Sequence, residues 1–149
     1  MTQVALKDLT LPQLLEALPY MVTPGNTLTY TYDVTFDETD ERVTGKEFWI
    51  RIDGEVVTHG EGPSNDPEAT SFQVIRGGVE TILAMQTEGL RAATTLMILG
   101  YIFPSDIHKA EAWFKILQNG QASLAAALAK AGYEVTDSEI PLLAELSLG

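Results

Sequence analysis

Between Thr27 and Phe36 the chain reads TLTYTYDVTF: Leu28, Tyr30, Tyr32, Val34 and Phe36 alternate with Thr27, Thr29, Thr31, Asp33 and Thr35. Alternation of this kind puts the apolar set on one face of a half-buried β-strand. A one-residue slip would turn all five apolar side chains to water, so the register is tightly specified, and one covered face points to an antiparallel sheet. Lys46 to Asp53 resumes the alternation with Phe48, Ile50 and Ile52, after a polar, acidic connection at 37–45 that reads as a wide hairpin. Asp53-Gly54 suits a two-residue turn that needs positive φ, which sends Glu55 to Glu61 back as a third strand. Beyond the rigid Pro63–Pro67 loop, Ala69 to Ile75 reads as a fourth strand, and Ile98 to Phe103 as a fifth, closed by Pro104.

Helical spacing frames and follows these strands. Thr10 with Gln13 forms a capping box before the stripe Leu11, Leu14, Leu15 and Leu18, predicting a helix from Leu11 to Met21 that Pro24-Gly25-Asn26 ends. Val79, Ile82, Leu83 and Gln86 keep a helical period up to Gly89, and Leu90 to Met97 forms a second short helix. Ser105 or Asp106 caps a helix with Ile107, Ala110, Trp113 or Phe114 and Leu117 inward. An Ala-rich helix, Gln121 to Ala131, precedes an acidic, Leu-rich tail. The pattern is α+β: about five mainly antiparallel strands covered on one face by helices, with an extra C-terminal helical segment from about residue 118.

Composition narrows the picture. At 149 residues the chain is most economically a single domain, 1–149, able to bury roughly 70% of its unfolded surface. It contains no cysteine, which excludes disulfides, thiolate metal sites and cysteine nucleophiles. The first residues lack the pattern of a signal peptide, and the longest apolar run, Leu96 to Phe103, falls far short of the ~20 residues of a membrane-spanning helix. A soluble, cytoplasmic protein is expected. Twenty-one acidic against nine basic residues give a net charge of −12, which repels phosphate backbones and disfavours nucleic acid as a partner. Transient membrane contact through a local apolar patch stays open.

No catalytic constellation emerges. His59 and His108 have no metal-binding spacing, and Ser64, Ser71, Ser105 and Ser123 lack the glycine-flanked elbow of a hydrolase nucleophile. Gly77-Gly78 lacks the lysine and wider glycine pattern of a phosphate loop. The acidic run Asp37–Glu41 could offer oxygen ligands to calcium, but it lacks EF-hand spacing and reads as a solvated hairpin loop. The expectation is a non-enzymatic protein without metal or cofactor.

The middle of the chain, about Leu28 to Leu117, resembles the sterol carrier protein 2 (SCP2) family of lipid-binding domains. The resemblance is carried by FWIRIDGEVV (Phe48–Val57), EGPSNDPEAT (Glu61–Thr70), the helix ending in Glu88-Gly89, the strand around Gly100 and the aromatic helix after Asp106. It implies an open sheet covered by helices around a tunnel for fatty acyl chains, sterols or similar lipids. The chain departs from the family at LGYIFPSD, which lacks the usual second glycine and basic residues, and its last residues, Ser147-Leu148-Gly149, are not a peroxisomal address.

Val79 to Phe103, with charges only at Glu80, Glu88 and Arg91, supplies adaptable and small apolar side chains for such a pocket. Ile82, Leu83, Met85, Leu90, Ala93, Met97, Tyr101 and Phe103 are the expected ligand contacts, with Arg51, Arg76 and Arg91 as candidate anchors for a charged head. The same stretch would serve equally as solid core. The alternative reading is a protein-interaction module with a filled core, in which Ile140, Leu142, Leu143 and Leu146 of the tail cover a neighbour or build a homodimer.

Overall fold

The computed structural model, which describes residues 1–38, 40–43 and 46–148, is an α+β fold. Strand β1 (Thr2–Ala5) leads to helix α1 (Leu11–Ala17), opened by the expected reciprocal bonds between Thr10 and Gln13. The helix tightens at Leu18–Met21 into a 3₁₀ turn instead of continuing, because Pro19 has no amide hydrogen to donate. Strands β2 (Thr29–Phe36), β3 (Glu47–Asp53), β4 (Val56–Glu61) and β5 (Thr70–Val74) follow. Leu28 stays outside β2 and is half-exposed, its amide held by the Asn26 side chain, which also donates to the Gly54 carbonyl.

Helices α2 (Val79–Glu88) and α3 (Leu90–Ile98) come next, then strand β6 (Ile102–Pro104) and helices α4 (Ile107–Ile116) and α5 (Gln121–Lys130). Strand β7 (Tyr133–Asp137) and helix α6 (Pro141–Glu145) complete the order. The expected strand from Ile98 is therefore shortened at its start. Gly100, at φ +78°, ends α3 with paired bonds from Gly100 N–H to the Met97 carbonyl and from Tyr101 N–H to the Leu96 carbonyl. This Schellman closure uses residues that a continuous apolar run cannot divide between helix and strand.

The main sheet has the order β4-β3-β2-β5-β6. All its pairings are antiparallel except β2 with β5, which is parallel. The parallel pair arises because the 62–69 loop crosses the face away from the helices: Ser64 N–H donates to Asp33, and Asp66 meets Arg51 at 3.2 Å. On the other face, cross-strand neighbours Tyr32, Ile50, Val34, Phe48 and Phe72 are buried beneath the helices. The Trp113 ring meets Tyr32 edge-on at 5.1 Å and lies near-parallel to Phe72 at 6.4 Å. Its indole N–H donates to Gln86 of α2, and both residues are buried.

The C-terminal segment is not only helical, since β7 pairs in parallel with β1 in register Thr2↔Tyr133 and forms a second, two-stranded sheet. Leu124, Leu128, Ile140, Leu142, Leu143 and Leu148 join the same buried cluster as the strands. Asp40 ties the hairpin connection to α2, accepting a 2.8 Å bond from Val79 N–H. Gly78 makes that approach feasible: at φ +54° its side-chain position would place a Cβ 2.1 Å from Asp40 Oδ2. No helix among the described residues is long and apolar enough to cross a membrane.

Candidate functional site

Two helical stripes face each other beside the short edge strand. Leu90, Ala93, Thr94 and Met97 repeat at helical spacing on α3, and Ile107, Ala110, Glu111 and Phe114 do so on α4. Phe72, Ile102 and Pro104 from β5 and β6 form the floor between them. The space between them is about 50 Å³ and opens to solvent on one side. Its rim keeps large apolar side chains in water, with Leu90 exposed at 48% and Ile107 at 51%. Glu111 is the one ionisable residue along its lining, so the groove is matched to an uncharged, apolar moiety.

Of the expected contacts, Leu90, Ala93 and Met97 come together here. Ile82, Leu83 and Met85 are buried within the core on α2. Tyr101 is buried as well, its ring 4.7 Å from the Arg76 guanidinium. Phe103 pairs with Gln73 on the sheet face away from the helices and is 62% exposed; Ile102 and Pro104 take the inward positions. A strand of three residues gives too little alternation to fix its inward face from sequence. Phe72, Ile107 and Phe114 were absent from the expected set. Their signal was present, Phe72 in the β5 alternation and the other two at positions seven apart on one amphipathic helix.

The candidate anchors lie elsewhere. Arg51 projects from the outer face and donates from Nη1 to Thr31 and Asp66, beside an open polar groove of about 450 Å³ that Lys109 and Glu68 also line. The Thr31 hydroxyl first, then the Glu68 amide and the Arg51 and Lys109 charges, hold the Asp66 carboxyl below its ordinary range against a small opposing desolvation. Arg76 stacks on Tyr101, and Arg91 is an exposed partner of Glu88 at 3.9 Å. None of the three arginines lines the apolar groove.

Burial, then Tyr30 and Asp106, push the Tyr32 phenol up, and its O–H donates to the Lys109 carbonyl. His59 lies on β4 and His108 on α4. Among the described residues no group of three or more metal-ligating side chains gathers. Thr39, within the acidic run weighed for calcium, lies outside the described residues. No family model matches the chain, and no curated protein is significantly similar to it.

Proposed function

We propose that the protein is a non-catalytic carrier or reservoir for an apolar ligand, fatty acyl, sterol or similar, whose hydrocarbon enters between α3 and α4. The observation that carries this reading is the convergence of Leu90, Ala93, Met97, Ile107 and Phe114 on one groove with a water-exposed apolar rim. The resemblance to the SCP2 family, with its sheet covered by helices, points the same way. At about 50 Å³ the groove, open on one side, is too small to take in a long chain whole. A long chain therefore enters by parting α3 from α4, and each methylene buried would contribute ~0.8 kcal/mol towards that opening. Ligand binding is expected to tighten with chain length and to survive high salt.

The first test is organic extraction of the purified protein and mass spectrometry of the extract. One lipid class near one per chain supports the reading. A clean extract, with no uptake of fluorescent alkyl probes, counts against it. Ala93→Trp, which fills the groove, is expected to abolish probe uptake while leaving the circular dichroism spectrum unchanged. The interaction-module alternative draws no support from the tail, because Ile140, Leu142 and Leu143 lie in the chain's own core.

A further inference from the structure

A second pocket, of about 220 Å³, lies at the opposite edge of the main sheet, between β4 and α1. Its floor is apolar, formed by Leu11, Pro12, Leu15 and Phe48, and its polar rim carries the side chains of Glu16, His59 and Glu61, whereas Glu47, paired with Thr35, turns to the other face of the sheet. No lysine or arginine lines it. Among the described residues, neither Glu16, which accepts from the Tyr133 hydroxyl, nor Glu61 has a cationic partner; the ion pairs are Lys7–Asp137, Arg42–Asp40, Arg51–Asp66 and Arg91–Glu88. An apolar floor beneath carboxylates that lack a cationic partner complements a long aliphatic stem that ends in a cation.

The pocket also adjoins an unpaired strand. β4 pairs with β3 on one side and ends the sheet on the other, leaving one row of its backbone groups without a strand partner. His59 and Glu61 pair with Ile50 and Phe48, so both point to the helix-covered face where the pocket lies. A strand added to this edge would place alternate side chains on that same face, next to His59 and Glu61. A second copy of the chain, itself at −12, would bring the wrong charge.

We infer that the β4 edge docks an extended, basic segment of a protein partner, with a lysine or arginine side chain of that segment filling the pocket between β4 and α1. Main-chain bonds along β4 supply general affinity, and the acid-rimmed pocket selects the basic residue.

The test titrates the full, ¹⁵N-labelled chain with a blocked hexapeptide of alternating threonine and lysine. Saturable shifts are expected in the amides of Val56–Glu61 and in α1. Replacing the lysines by glutamine, or introducing Glu16→Gln with Glu61→Gln, is expected to weaken binding by about tenfold. Glu134→Gln with Glu139→Gln, the same charge change on and beside β7, is expected to leave it unchanged. Equal weakening by both pairs of substitutions would reduce the effect to net charge and overturn the inference. So would the absence of β4 shifts, a free-chain dimer closed over β4, or hexylamine reproducing every shift, which would make the ligand a free amine.

Discussion

At the scale of single residues, the pairing of Gln86 with Trp113 shows how a polar group earns a place in the core. The spacing Val79, Ile82, Leu83, Gln86 put this glutamine on the apolar stripe of its helix, so its burial was legible; its reason was not, because Trp113 lies 27 positions away. Gln86→Leu leaves the indole N–H without an acceptor and is expected to cost ~1–3 kcal/mol in chemical denaturation. In a Trp113→Phe background the same substitution should cost clearly less, since the stranded donor is gone. Asp40 gives a pH prediction. Burial raises its pKa, but the Arg42 and Val79 amides and the Arg42 charge outweigh that and leave the folded value below 3.8. The stability it contributes is therefore present above the unfolded value and lost as pH falls through the lowered one. Asp40→Asn should flatten the acid limb of stability measured between pH 5 and about pH 2.

Among the elements, long alternation was readable and short or nonlocal pairing was not. β2, β3 and the Asp53-Gly54 turn follow from local pattern alone. The parallel partnership of β2 with β5 depends on a loop crossing the outer face, held by Asp33 and Arg51, and no local period encodes it. The start of β6 was misread for a different reason: Leu96 to Phe103 is apolar throughout, and only the left-handed Gly100 marks the break. Gly100→Ala meets no atom within 4 Å, so its cost is conformational, about 1 kcal/mol, and should appear as a lowered melting temperature with an unchanged fold. Five of the eight expected contacts were misplaced for a similar reason, because Val79 to Phe103 has one texture but divides between core, groove and outer face. Tyr133 to Asp137 does alternate weakly, but its partner lies at the far end of the sequence.

For the whole molecule, the C-terminal segment after Gln118, roughly a fifth of the chain, is part of the foundation and cannot be treated as a removable extension. Leu124, Leu128, Ile140, Leu142 and Leu143 are all buried in the common core. At roughly 1.5–3 kcal/mol for each buried side chain, their sum is comparable with a typical domain's entire stability of about 5–15 kcal/mol. Truncation after Gln118 is expected to abolish the cooperative thermal transition, measured by circular dichroism. A lid over a tunnel, or a tail reserved for a neighbour, would leave that transition in place.

The parallel pairing of β1 with β7 bears on the order in which the protein acquires its structure during synthesis. Thr136 bonds to the Val4 carbonyl across 132 positions, so the first strand has no partner until almost all of the chain has left the ribosome. Thr2–Ala5 must wait in solution while the hairpin of β2 and β3 forms from near neighbours. The two-stranded sheet is therefore expected to close after that hairpin, once β7 has been made.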